Sequence, residues 1–134
     1  MKRISQLTLG TCLAIAALIT ANAPAHAAEA VVVNGVTCTI VGTSGNDTLT
    51  GTDGDDVICG LGGDDIIQGG PGADKLFAGD GADSLLGGDG SDLLDGGTGN
   101  DTSNGEAGND VINDGLGDDI SEGGPGADKL FGGD

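Results

Sequence analysis

The chain has no tryptophan, no tyrosine and two phenylalanines, Phe77 and Phe131, in 134 residues. It has a single histidine, His26, and four cationic residues, Lys2, Arg3, Lys75 and Lys129. Each shortage excludes something. With so few aromatics and a formal charge of −18, the composition is that of a chain that stays disordered when left to itself. The scarcity of Lys and Arg excludes nucleic acid as a partner, because binding phosphate needs cationic side chains. There is no H-E-x-x-H and no G-x-S-x-G, so the zinc-protease helix and the esterase elbow are both absent. There is no C-x-x-C either, which together with the lack of histidine argues against zinc.

Long hydrophobic runs are missing too. The apolar stretch of residues 7–19 is too short to span a bilayer. It follows Lys2 and Arg3 and precedes Ala25-His26-Ala27, so residues 1–27 read as a secretory signal peptide cut after Ala27. Thr11 before Cys12, and an apolar run lying mostly after it, speak against a lipid anchor there. The mature chain keeps two lysines against 22 acids, a formal charge of −20, and no histidine or arginine. Outside the cell, divalent cations are the natural counter-charge. Two cysteines remain, Cys38 and Cys59. In an oxidising exterior they suit a disulfide closing a loop of about 20 residues, worth about 3 kcal/mol on the chain-entropy model. Two half-buried free thiols are the other reading.

What the chain does have is glycine, 29 residues of it, and strict periodicity. Ten nonapeptides fill residues 42–131 without insertion or deletion, in the pattern G-G-x-G-x-D-x-U-x with U apolar. The first reads G-T-S-G-N-D-T-L-T and the fourth G-G-P-G-A-D-K-L-F. Glycine holds the fourth place throughout, at Gly45, Gly54, Gly63, Gly72, Gly81, Gly90, Gly99, Gly108, Gly117 and Gly126. Such a place needs positive φ, close backbone approach, or both. Aspartate holds the sixth, at Asp47, Asp56, Asp65, Asp74, Asp83, Asp92, Asp101, Asp110, Asp119 and Asp128. A turn alone would accept Asn, Ser or Gly there, so the charge itself is used, and calcium favours carboxylates mixed with backbone carbonyls. The eighth place is apolar in eight repeats: Leu49, Ile58, Ile67, Leu76, Leu85, Leu94, Ile112 and Leu130. In a three-residue strand it points inward while places seven and nine point out. Places one to six read as turn. One unit cannot bury its single apolar residue, but stacked units can.

Residues 42–131 on these motifs resemble the calcium-binding nonapeptide repeats of RTX proteins, found in exported proteases, lipases, toxins and adhesins. The resemblance implies an all-β, right-handed parallel β-roll with two nonapeptides per turn. It also implies calcium between loop n and loop n+2, held by the sixth-place aspartates and by carbonyls around the fourth-place glycines. Ten loops, five on each edge, then make about eight sandwiched sites, with incomplete sites at the ends.

Departures from the pattern carry information. Ser103 and Ser121 replace the apolar eighth residue, one turn apart on the odd-repeat face, and predict the least stable part of the core there. Asp114 replaces the first-place glycine of repeat nine. Residues 33–41 fit the phase as a decayed repeat within an N-terminal cap (residues 28–41) over the first strand, and residues 132–134 begin an eleventh repeat. Phe77, Phe131, Lys75 and Lys129 all fall on the outward face of the even repeats, which predicts a surface for self-association or a partner. Asn46-Asp47-Thr48 and Asn100-Asp101-Thr102 match the glycosylation sequon only as by-products of the repeat. Pairs such as Asp55-Asp56, Asp64-Asp65 and Asp118-Asp119 read as a ligand beside a loop neighbour, not as a glycosidase pair. The functional expectation is therefore a secreted, non-catalytic, calcium-binding protein that folds on binding the ion. A calcium-hardened adhesion or spacer protein, or a piece of a longer RTX protein, are the alternatives.

Overall fold

Residues eighteen apart in sequence lie side by side. Thr48 pairs with Ile66, Ile66 with Ser84, Ser84 with Thr102 and Thr102 with Ile120, all in parallel. Two nonapeptides thus complete one turn. The computed structural model describes residues 30–133. The signal peptide expected at residues 1–27, Asp134 and the first two residues of the expected cap lie outside the described residues.

The described chain is all β. Its strands are β1 (Val32–Val33), β2 (Val36–Thr37), β3 (Ile40–Val41), β4 (Thr48–Thr50), β5 (Val57–Gly62), β6 (Ile66–Pro71), β7 (Lys75–Asp80), β8 (Ser84–Gly90), β9 (Leu93–Thr98), β10 (Thr102–Gly108), β11 (Val111–Leu116), β12 (Ile120–Glu122) and β13 (Lys129–Phe131). One parallel sheet has the order β4-β6-β8-β10-β12 and carries the odd repeats; the other runs β3-β5-β7-β9-β11-β13 and carries the even ones. Together they make a β-solenoid of about five turns, the β-roll architecture expected.

The eighth-place side chains fill the space between the sheets. Ile58, Ile67, Leu76, Leu85, Leu94 and Ile112 are fully buried with Ala78, and Ile40 and Leu49 pack at the N-terminal end. Full burial of each such side chain contributes about 1.5–3 kcal/mol. Leu130 departs from expectation. It is 45 % exposed, because stacking covers the last turn from one side only.

The turns are also shorter than the sequence suggests. Pairing continues past the ninth place, with Gly70 opposite Gly88 and Gly79 opposite Gly97. These second-place residues take positive φ, 101° at Gly70 and 116° at Gly88. That bends the strand without ending its ladder. From repeat three to repeat nine the strands run on through places one to three, so at most places four to six remain turn or bend.

The N-terminal segment is not a tenfold-type repeat. Asn34 (φ 50°) and Gly35 (φ 81°) form the two-residue turn of an antiparallel hairpin, β1 with β2, as an Asn-Gly pair favours. Only Ile40 and Val41 keep the repeat phase, lying beside Ile58 and Cys59. Ile40 and Val41 cover β5 of the even sheet, and Val31 and Val33 lie against Cys38, Cys59 and Phe77, with Val41, Val57, Leu61 and Leu93 around them. Cys59 and Phe77 are ninth-place residues, so this is a second small core on the outer face of the even sheet. The structure joins Cys38 to Cys59 as a disulfide, with Cα atoms 6.0 Å apart.

This cap corrects the expected aromatic face. Phe77 is only 8 % exposed, whereas Phe131 is 53 % exposed. Asp95 and Asn113 occupy the rungs between them, and Asn113 Nδ2 donates to Asp95 Oδ1 at 3.3 Å. The two rings therefore share no surface. Phe77→Ala should cost about 3 kcal/mol or more, and Phe131→Ala less than about 0.5 kcal/mol. Urea unfolding of the two variants measures the difference, and equal costs would contradict the cap packing.

Candidate metal centre

The sixth-place aspartates form one ladder along each edge of the roll. The backbone N–H of Asp47 donates to Asp65 Oδ1 at 2.8 Å, and Asp65 N–H to Asp83 Oδ1 at 2.7 Å. Asp83 continues to Asp101 and Asp101 to Asp119, each at 2.9 Å. On the even edge Asp56 donates to Asp74 and Asp74 to Asp92, each at 2.8 Å, then Asp92 to Asp110 at 2.9 Å and Asp110 to Asp128 at 3.0 Å. All ten predicted side chains are thus brought into register, one per loop, joined in eight loop-to-loop pairs.

Oδ1 of eight carboxylates is used this way, whereas Asp47 and Asp56, at the N-terminal ends of the ladders, donate but accept no such bond. Oδ2 of Asp65, Asp74, Asp83, Asp92, Asp101 and Asp110 is buried and meets no donor from the protein. A buried carboxylate oxygen without a partner is costly, and in native proteins such a group demands an explanation. Five of these oxygens, all but that of Asp83, lie against the first-place glycine of their own repeat. A Cβ added at Gly69 would meet Asp74 Oδ2 and the Gly87 carbonyl oxygen, each at 2.5 Å; one added at Gly87 would meet Asp92 Oδ2 at 2.6 Å and Gly105 O at 2.7 Å. First-place glycine therefore leaves room for acceptors of neighbouring turns to converge. Acceptors gathered without donors suit a hard cation that takes oxygen ligands.

The fourth-place glycines line the same edges. Seven take positive φ, including Gly72 at 138° and Gly90 at 150°. Each carbonyl lies under the glycine one turn on: a Cβ on Gly90 would be 1.6 Å from Gly72 O, and one on Gly81 2.2 Å from Gly63 O. At these seven positions both needs anticipated for this place, positive φ and close approach, apply at once. No three acidic or thiol side chains cluster as a metal-holding group among the described residues. The carboxylates are spread along the edge, so a bound cation would take its remaining oxygens from these carbonyls.

Three features of the site escape sequence reasoning. A second ladder runs at the fifth place. Asn46 Oδ1 accepts from Asp64 N–H at 3.0 Å, Asp55 Oδ1 from Ala73 N–H at 2.9 Å, and Asp64 Oδ1 from Ala82 N–H at 3.0 Å. Asn100 and Asn109 do the same toward Asp118 and Ala127. The recurrence of Asn or Asp at this place was the available signal. Next, Thr43 and Thr52 close the first two loops on their own aspartates. Finally, Asp114 turns into the core. Fully buried, it accepts from Ser103 Oγ at one carboxylate oxygen and from Ser121 Oγ at the other. The three departures noted in the sequence are one polar cluster.

Burial, followed by neighbouring carboxylates and against the pull of an accepted backbone N–H, raises Asp65, Asp74, Asp83 and Asp110 above the usual carboxylate range. The same causes push Asp92 and Asp101 to about 6. With folded values above unfolded ones, the native state holds protons that the unfolded chain has already released, so the metal-free roll loses stability as pH rises from about 4 to about 6. In chelator, acidification from about pH 7 to about 4.5 should increase β-structure. With calcium present the order should reverse, because ligand carboxylates must be ionised. Circular dichroism at both pH values checks this, and metal-free β-structure that increases with pH would contradict it.

The RTX calcium-binding nonapeptide repeat model matches in four copies, over residues 39–67, 60–94, 68–103 and 95–130. Neither the curated proteins nor the solved structures yield a match.

Proposed function

Because this chain belongs to the RTX calcium-binding nonapeptide repeat family, we propose that it is a secreted β-roll whose folding is driven by calcium and which has no catalysis of its own. The observation that carries this reading is the set of six buried aspartate oxygens without a donor. Calcium between loops n and n+2 satisfies them, with the sixth-place aspartates supplying charge and the fourth-place carbonyls supplying the other oxygens. The ion supplies charge neutralisation and cross-linking, nothing redox or hydrolytic. In the folded roll the ladders and the two threonines fix one oxygen of each sixth-place carboxylate.

Two further points support the reading. The mature charge of −20 opposes compaction, and binding to the folded state alone shifts the equilibrium toward it. The signal-peptide features at residues 1–27 support export to a compartment where calcium is abundant. Affinity of roughly 10⁻⁴ to 10⁻³ M per site suits an extracellular module. Equilibrium dialysis of the mature protein should show calcium binding in that range, little displaced by equal magnesium. The double variant Asp83→Asn, Asp92→Asn should bind fewer ions. Absence of binding, or equal binding of magnesium, would overturn the proposal.

A further inference from the structure

The sixth-place aspartates are not equivalent. Asp56 and Asp83 are 7 % and 4 % exposed, yet their free oxygens meet opposite environments. Asp56 Oδ2 accepts from Thr52 N–H at 2.6 Å and Thr52 Oγ1 at 2.9 Å; Asp83 Oδ2 meets no donor. Asp47 Oδ2 is held in the same way by Thr43, N–H at 2.6 Å and Oγ1 at 2.9 Å. Threonine stands at the second place only in these two repeats. From repeat three onward that place turns to positive φ, beginning with Leu61 at 84°, and the orphaned oxygens begin with Asp65.

The same end of the roll carries the other cation-independent ties. The Cys38–Cys59 disulfide binds the hairpin to the second repeat, the outer apolar cluster surrounds it, and Cys38 N–H donates to Val31 O at 2.8 Å. Thr39 N–H and Oγ1 both donate to Val57 O.

We infer that calcium demand is graded along the roll: repeats three to eight require the ion, whereas Thr43 and Thr52 donate to the first two aspartates in its place. With the disulfide-bound hairpin these loops form a calcium-independent N-terminal nucleus on which the remaining turns are stacked. The inference rests on the calcium reading but adds to it, since it separates a preformed end from a metal-dependent body. Charged acceptors satisfied by two donors are already stabilised. A cation gains little there and much at an oxygen that has none.

Hydrogen exchange read by mass spectrometry on the mature protein tests this, first in excess chelator and then in saturating calcium. In chelator, peptides from residues 38–59 should exchange at least about tenfold more slowly than those from residues 64–110, and calcium should then protect the latter. Equal rates for the two segments in chelator, fast or slow, would overturn the inference. If calcium nonetheless protected residues 64–110, the calcium reading would survive; if it protected neither segment, that reading would fall as well. The double variant Thr43→Gly, Thr52→Gly keeps the disulfide. It should lose protection at residues 38–59 in chelator and regain it with calcium. Unchanged protection in chelator would show that threonine does not stand in for the ion.

Discussion

Alanine at Gly90 should leave most of the roll unfolded at calcium concentrations that fold the parent, while alanine at Gly54 should shift the transition by less than about 0.5 kcal/mol. Both are fourth-place glycines, so the repeat pattern treats them alike. Gly90 sits at φ 150°, and its added Cβ would lie 1.6 Å from Gly72 O. That oxygen belongs to the backbone of a turn locked above and below, where interior packing leaves no room to shift. The combined strain and overlap should cost more than about 4 kcal/mol. Gly54 has no positive φ and nothing within 4 Å of an added Cβ. The residue one turn before it is Val36, in the hairpin, so no loop lies beneath. Urea unfolding in saturating calcium separates the two cases. Similar losses at both positions would contradict the stacking geometry.

Asp114→Ala should destabilise the protein by about 2 kcal/mol or more, because it strips the shared acceptor from two hydroxyls, one of them fully buried. Ser103→Leu and Ser121→Leu, made singly, should also destabilise, since each leaves part of a buried carboxylate without a donor. The triple variant Ser103→Leu, Asp114→Gly, Ser121→Leu restores the repeat pattern at all three places. It should be as stable as the parent or more so, as replacements of whole buried polar groups often are. The coupling should exceed about 1 kcal/mol, well beyond the additivity seen for independent sites. Additive effects across the series would show that the three residues do not act as a unit.

These residues also mark where sequence reasoning ran out. Asp114 and the two serines are visible as departures, and both serines fall on the odd-repeat sheet. The first place, however, was read as turn, so Asp114 had no assigned direction. Continued strand pairing through places two and three points its side chain inward, between hydroxyls seven and eleven residues away. Phe77 shows a different limit. Its outward direction follows from the two-residue period of a strand, and the structure keeps it. Its burial depends on a hairpin that departs from the repeat, which periodicity cannot describe. By contrast, the eighteen-residue stacking, the inward file from Ile58 to Ile112 and the alignment of ten aspartates were legible because no insertion breaks the phase. Which aspartate oxygens lack donors was not legible, because second-place N–H direction depends on backbone angles that Thr and Gly set differently.

If calcium satisfies the orphaned carboxylate oxygens, the ion itself should drive the body of the roll to fold. Far-ultraviolet circular dichroism of the mature protein, titrated separately with calcium and magnesium from chelator, tests it most directly. The spectrum should be largely unordered in chelator, with residual β-structure confined to the N-terminal turn. β-structure should rise cooperatively as calcium reaches roughly 10⁻⁴ to 10⁻³ M, with no comparable gain from magnesium. Full β-structure in chelator, or the same transition with magnesium, would contradict it.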